Sequence, residues 1–342
     1  MAAPSETNIS NSPSLMSQLL QGNSYTEEFK ELLNSLPKET GWLAPDLYNY
    51  KGFWLEPFFL QGALTSQQHF QAQDSDVILS TFPKSGTVWL KALAFALITR
   101  KQFLASQESE KTHPLHTNNP HELIPFLELS YAVKERPDFA LANGSRLMAT
   151  HLPLSLSPKS VWESKCKVIY LCRNPKDTVV SFWHFMNKLR RELRGLEALP
   201  FPEAFDSYCR GVSNTGPFWD HVLEHWKESL ENPEKVLFFK YEEMKKEPED
   251  HLRRMAAFLG CPFSEEEEES GVVSGILKLC SFESLSNLEV NKNAINGGLG
   301  VENGVLFRKG KVGDWTNYLT DEMAKRLDQI VQEKFTGTGL ML

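Results

Sequence analysis

Three basic segments of this chain each sit in a turn, and cations placed at turns are the raw material of anion binding. The first is Pro83-Lys84-Ser85-Gly86-Thr87, entered from the apolar run Val77–Phe82 and followed at once by a helical pattern with Leu90, Ala94 and Leu97 on one face. Strand, tight loop and helix in that order leave free N–H groups and the positive end of a helix dipole at the loop. Lys84 adds a full charge there; a plain Pro-Gly turn with a solvated lysine is the competing reading. The Walker pattern G-x-x-x-x-G-K-[ST] is missing, because the lysine precedes the single glycine. That disfavours a standard nucleoside-triphosphate loop and points to a P-loop-like relative. The second segment, Tyr170-Leu171-Cys172-Arg173-Asn174-Pro175-Lys176-Asp177, repeats the logic: an apolar strand, a basic residue at its end, and proline at the first helical position. Ser181 falls about two turns into that helix, placed to share an anion with Arg173, whereas a helix-end pair between Arg173 and Asp177 is the structural alternative. The third, Phe307-Arg308-Lys309-Gly310-Lys311-Val312-Gly313-Asp314-Trp315, packs three cations and two glycines into nine residues. Arg308 and Lys309 beside Gly310 offer a charged fork and closely approaching backbone amides, which suit a phosphate.

A candidate proton acceptor accompanies them. His151 follows the strand pattern Arg146–Thr150 and precedes Leu152-Pro153, which puts it at the same carboxyl edge as the anion loops. A neutral histidine there is suited to take a proton near neutral pH, while a lone histidine also serves structural roles. His221 and His225 at i, i+4 resemble a metal face. The intervening glutamate is not at the position the metalloprotease signature requires, and no third ligand is evident, so no metal is expected.

The elements that must position these groups alternate along the chain: strands over 76–82, 146–150, 167–172 and 235–240, helices over 86–99, 175–188 and 249–259. Such alternation predicts a single α/β domain with a central parallel sheet flanked by helices. Ligands of such sheets bind outside the carboxyl ends of the strands, so Lys84, Arg173 and His151 are expected in one crevice. Val168-Ile169-Tyr170-Leu171 is apolar without alternation, as a strand covered on both faces requires. The run Glu265–Glu269 after Ser264 fits a capping box on a solvated helix. Asn287–Leu306, with four glycines and few packing residues, reads as a mobile flap.

Bulk properties narrow the function. The chain has 342 residues, 41% hydrophobic, enough for one large core, and a formal net charge of −8. A nucleic-acid ligand would call for a basic excess, so any bound anion is held by local groups. The five cysteines form no C-x-x-C pair and leave an odd count, which suits a reduced cytoplasmic chain. Residues 1–24 are polar and carry no Lys or Arg, unlike a secretory or transit peptide; they read as a disordered tail before a domain spanning 25–342. The apolar run Ala92–Ile98 is too short to cross a bilayer, so no membrane partner is expected.

Taken together, Pro83-Lys84-Ser85-Gly86-Thr87, Thr150-His151-Leu152-Pro153, Arg173 with Ser181, and Arg308-Lys309-Gly310-x-x-Gly313-Asp314-Trp315 resemble the cytosolic sulfotransferases, in the family's order and across 76–316. The region Leu36-Pro37-Lys38 with Gly41-Trp42, and the ending Glu333–Leu340, further resemble the plant branch that sulfates flavonols, hydroxyjasmonate, brassinosteroids and desulfoglucosinolates. The resemblance implies 3′-phosphoadenosine-5′-phosphosulfate (PAPS) as donor, its desulfated form PAP as product, and no metal. Carried over by position, the loop Lys84, Ser85, Gly86, Thr87, Val88 and Trp89 holds the 5′-phosphosulfate, with Trp89 stacking on adenine. Arg173, Ser181, Arg308, Lys309 and Gly310 bind the 3′-phosphate, Tyr241 and Phe282 contact adenine, and His151 is the catalytic base. Lys84 stabilises charge on the leaving oxygen. Phe82, Phe126 and Phe185 match positions lining the acceptor pocket and imply a hydrophobic hydroxylated small molecule.

Departures from the family pattern are few. Val88 replaces a threonine common in the loop. Ala149 stands where animal members have lysine. The animal dimerisation pattern keeps only its central threonine, Thr320, so that route to a dimer is unsupported and the oligomeric state stays open. A small-molecule kinase, disfavoured by the missing Walker glycines, and a nucleotide-binding protein without turnover, disfavoured by intact Lys84 and His151, are the alternatives.

Overall fold

A computed structural model of the chain describes residues 19–20, 25–103, 112–141 and 143–342. Its centre is a four-stranded parallel sheet of β4 (Val77–Thr81), β5 (Leu147–Thr150), β6 (Lys167–Cys172) and β7 (Val236–Lys240), in the order β5-β4-β6-β7. Leu79 pairs with Ala149 on one side and Ile169 on the other, and Ile169 pairs with Leu237, which fixes the register. All four strands therefore end at one edge, and the residues just past those ends are Lys84, His151, Arg173 and Tyr241. The parallel sheet and the strand ends match the alternation in the sequence to within a residue or so.

Helices α1 (Pro57–His69), α2 (Thr87–Phe103), α3 (Leu127–Tyr131), α4 (Pro175–Arg194), α5 (Phe218–Glu231), α6 (Tyr241–Lys246), α7 (Pro248–Phe258) and α8 (Asp321–Phe335) surround the sheet. One face carries a core of Leu90, Leu93 and Leu97 from α2 against Leu252 and Met255 from α7. The other joins Phe82 and Tyr170 to Phe182 of α4, Phe218 of α5 and Leu327 of α8. Covered on both faces, β6 is buried from Val168 to Cys172. Both α2 and α4 extend beyond the expected ends; α4 runs to Arg194, where Gly195 in the left-handed region caps it. That length comes from packing of its apolar stripe.

A small antiparallel sheet, β1 (Lys38–Thr40), β2 (Asp46–Tyr50) and β3 (Phe53–Leu55), precedes α1 and had no counterpart in the sequence reading. Strands this short leave almost no periodicity to read. The expected tail over 1–24 lies outside the described residues apart from Leu19 and Leu20, which are helical, with Leu19 buried. The segment 287–306 is better packed than its composition suggested. Val301 and Val305 are buried, and asparagine side chains staple it: Asn119 Nδ2 donates to Asn291 Oδ1 at 2.8 Å and Asn296 Nδ2 to Asn303 Oδ1 at 2.8 Å. Amide side chains supply there the bonds that apolar residues do not. Ser264 and Glu267 form the expected capping box, but Glu267 is also paired with the buried Arg100, at 2.8 Å, so that helix is anchored rather than merely solvated.

Candidate active site

The loop after β4 turns through backbone that only some residues adopt. Lys84 has φ 68° and Gly86 φ 111°. A Cβ on Gly86 would lie 2.8 Å from the Tyr241 ring, so glycine is required both by conformation and by space. Helix α2 begins at Thr87, which leaves its first-turn N–H groups at the loop. Thr87 Oγ1 meets Thr81 Oγ1 at 2.8 Å, tying the loop back to the end of β4.

Around this loop the fold gathers cations. Burial, followed by the fields of Arg173, Arg308 and Lys188, pushes the Lys84 ammonium down to about 7. Cations crowded this closely favour an anion beside them. Arg173 donates from Nη2 to the Lys311 carbonyl at 2.6 Å and lies over the Tyr241 ring at 4.6 Å. Its Nε is buried with no hydrogen-bond partner among the described residues. The alternative pairing with Asp177 exists too, at 3.4 Å, and does not exclude the first, since Arg173 also lines the cleft. Asp177 accepts the N–H groups of Gly313 (2.7 Å) and Trp315 (3.0 Å), and so fastens the 308–315 loop to the start of α4. Asp314 receives Arg308 and, at 2.8 Å, Lys309. Burial alone would raise its carboxyl pKa, but hydrogen bonds from Lys309, Arg308 and Asn317 hold it at about 2. Gly310, at φ 61°, brings backbone so close to Phe282 that a Cβ would stand 2.4 Å from the ring.

His151 is held in one tautomer. Its Nδ1 lies 2.7 Å from the Thr81 carbonyl, which can only accept, so Nδ1 carries the proton and Nε2 keeps a lone pair. Burial is the first cause that lowers its pKa, to about 3, with Lys91, His221 and Lys84 adding to the shift while the Thr81 bond opposes it. The imidazole is therefore neutral at physiological pH. Its ring stacks, tilted, on Phe126 at 4.6 Å, and Phe126 in turn faces the buried Lys91 Nζ at 3.3 Å. Glu128 accepts both the His151 N–H and the Thr150 hydroxyl at 2.9 Å, and Lys91 donates to the Ile124 carbonyl at 2.8 Å. These two buried side chains fix the strand end from behind, and the sequence reading missed both. The signal was a lysine inside the otherwise apolar face of α2, and a glutamate directly after the apolar Ile124–Leu127. The two histidines of the i, i+4 pair are spoken for: His221 takes the Tyr170 hydroxyl at 2.9 Å and donates to the His151 carbonyl at 3.1 Å, and His225 meets Ser80 at 2.9 Å.

Most of the expected site residues open onto one cleft of about 340 Å³. Lys84, Gly86, Thr87, Val88, Trp89, Arg173, Ser181, Tyr241, Phe282, Arg308, Lys309 and Gly310 line one part, and His151, Phe126 and Phe185 line it too. Trp89 meets Tyr241 edge to face at 5.5 Å, giving an aromatic corner. Two expected residues do not reach it. Ser85 is fully buried, its hydroxyl without a partner among the described residues. Phe82 is fully buried as well, edge-on to Phe182, Tyr208, Phe218 and the His221 ring, so it supports the cleft from the core. Further apolar lining comes from Leu43, Phe58, Phe59, Leu129, Phe182, Met186, Leu189 and Leu299, together with the polar pair Glu56 and Asn214. None of these was singled out from the sequence.

Comparison with known proteins agrees with this geometry. The family described as Sulfotransferase domain matches residues 74–339. Cytosolic sulfotransferase 12 of Arabidopsis thaliana is 50% identical over 317 residues, covering 92% of this chain and 94% of that protein. Flavonol 4′-sulfotransferase of Flaveria chlorifolia is 46% identical over 324 residues, covering 92% and 97%. Among solved structures, mouse sulfotransferase SULT7A1 complexed with PAP aligns with a TM-score of 0.62 at 28% identity, over 85% of this chain and 95% of that one. The orphaned Arg173 Nε, the repelling cations and the close backbone at Gly86 and Gly310 fit a doubly phosphorylated nucleotide such as PAPS. A cleft that joins an anion cradle to a neutral histidine, in a chain this similar over nearly its whole length, identifies the protein as a member of the plant cytosolic branch of the sulfotransferase family, an enzyme that transfers sulfuryl groups from PAPS to small molecules.

Proposed function

We propose that this enzyme sulfates a hydroxyl of a small hydrophobic metabolite of the flavonoid, hydroxyjasmonate or brassinosteroid kind, in the cytoplasm, with His151 as general base. The observation that carries the reading is the His151 ring. Its Nδ1 proton is engaged by the Thr81 carbonyl at 2.7 Å, so the free nitrogen is the one able to accept a proton from an acceptor hydroxyl in the same cleft as Lys84. PAPS supplies an activated sulfuryl group whose leaving oxygen gains negative charge as the bond to sulfur breaks.

Each residue then has a defined task. Lys84, Gly86, Thr87, Val88 and the N-terminus of α2 hold the 5′ side, and Lys84 offsets the charge on the leaving oxygen. Arg173, Ser181, Arg308, Lys309 and the Gly310 backbone hold the 3′-phosphate, while Trp89, Tyr241 and Phe282 enclose the adenine. Phe126 and Phe185 guide the acceptor, with Lys84 already over the Phe185 ring at 4.3 Å. His151 removes the proton, and the fixed placement of both reactants supplies much of the remaining rate. The aromatic and aliphatic lining favours a flat, apolar acceptor. Incubation with sulfur-labelled PAPS and a panel of flavonols, hydroxyjasmonate and steroids tests the reading. Label should appear in at least one panel acceptor; donor binding without transfer to any of them would overturn it.

A further inference from the structure

Glu56 is the residue this cleft least needs if its acceptor is uniformly apolar. It stands just before α1, it is 2% exposed, and it lines the cleft among Leu43, Phe58, Phe59 and Leu129. Among the described residues its carboxyl accepts one hydrogen bond, from the Ala44 N–H at a long 3.3 Å. An ionised carboxyl has room for about four such bonds, and burying it with one weak partner is costly. Its own N–H donates to Asn214 Oδ1 at 3.2 Å, which brings a second polar side chain, 4% exposed, to the same wall. The charged and titratable groups that face it are Arg194 and Tyr25. Burial raises the carboxyl to about 7, so near neutral pH it is easily persuaded into either form by a partner.

We propose that the acceptor carries a second hydroxyl, remote from the one that is sulfated, and that this hydroxyl donates a hydrogen bond to the Glu56 carboxyl with Asn214 beside it. The inference rests on the reading of the cleft as an acceptor site and adds a substrate class to it: diols or diphenols with hydroxyls at both ends of an apolar frame. His151 sits on the wall formed by the sheet edge and Glu56 on the wall formed by the N-terminal segment, so one molecule bridging them is fixed at both ends. A neutral hydroxyl suits the site better than an ammonium group, because Arg194 already contributes positive charge near the carboxyl.

The test uses the full chain loaded with PAP and a flavone bearing one hydroxyl on each terminal ring, alongside the two flavones that each lack one of them. Affinity is read from tryptophan fluorescence. The doubly hydroxylated compound should bind the wild-type protein about 10- to 100-fold more tightly than either singly hydroxylated one. Glu56→Leu should weaken its binding by about tenfold or more with PAP affinity unchanged, and Glu56→Gln, which keeps the Ala44 contact but loses the charge, by a few fold. Equal wild-type affinities, or tight binding that survives Glu56→Leu, would overturn the proposal, as would tighter binding of the matching aminomethylflavone, whose amine is protonated near neutral pH. If Glu56→Leu fails to fold, the wild-type comparison and Glu56→Gln still decide. Turnover is scored separately: tight, Glu56-dependent binding without sulfation counts against the acceptor reading of the cleft and for the hydroxyl contact.

Discussion

Lys84 should gain a proton when the nucleotide binds. In the free protein its pKa is about 7, lowered first by burial and then by Arg173, Arg308 and Lys188. A bound phosphate places negative charge beside it and returns it toward the ordinary lysine range near 10.4. At pH 8 a group with pKa 7 is about nine-tenths deprotonated, so binding of PAP should take up about 0.9 proton from solution. Affinity should fall by about tenfold per pH unit above pH 7.5, which is about 1.4 kcal/mol per unit. Titration calorimetry at pH 8 in two buffers of different ionisation enthalpy measures the uptake directly, and the phosphate groups of PAP are already ionised there. The Lys84→Met variant, which keeps the stem over Phe185, should bind PAP without that uptake. No proton uptake by the wild-type protein, or uptake that persists in Lys84→Met, would refute the claim that crowding of cations around an anion site controls this lysine.

Other consequences are open to direct measurement. His151→Ala should lower kcat by about 10²–10⁴-fold with PAP affinity within about twofold, as a proton acceptor outside the nucleotide cradle requires; retained turnover would remove it from the mechanism. Gly310→Ala must place a methyl 2.4 Å from the Phe282 ring at φ 61°, so PAP binding should weaken by about 1–3 kcal/mol, read by calorimetry, while the fold is kept. Acid should destabilise the protein through its buried histidines. His151 and His221 are depressed to about 3 and about 4, both mainly by burial. Between their ordinary value near 6.5 and those folded values the unfolded chain binds protons that the folded chain does not. Stability contributed by their neutrality is thus present above about pH 6.5 and lost as pH falls, by about 2 kcal/mol per histidine at pH 5. Glu56, raised to about 7, works in the opposite direction between pH 7 and its ordinary value, so urea midpoints at pH 5 and 7 should differ more in Glu56→Gln than in the wild-type protein.

Local pattern along the chain carries the sheet and the neighbourhood of the anion loops. Apolar runs ending in turns located β4, β5, β6 and β7, because a strand buried on both faces leaves a continuous apolar signature. Parallel pairing then requires that all these strands end at one edge, so Lys84, His151 and Arg173 are legible as neighbours from sequence. The glycine and cation spacing around Arg308 added the third anion segment. What lies behind and opposite these groups follows only from long-range packing. Lys91, Glu128 and Asp177 position the site through hydrogen bonds between residues distant in the chain, and such contacts have no period to detect. Phe82 and Ser85 stand within two residues of Lys84 in sequence, yet their side chains are buried in the core, because alternation and the sharp turn send nearby residues to different sides. The Asn-rich segment 287–306 looked loose by composition and is stapled by amide pairs that only its folded path brings together. Glu56 and Asn214 meet across 158 residues of chain, and nothing short of the packed fold could place that pair on the cleft wall.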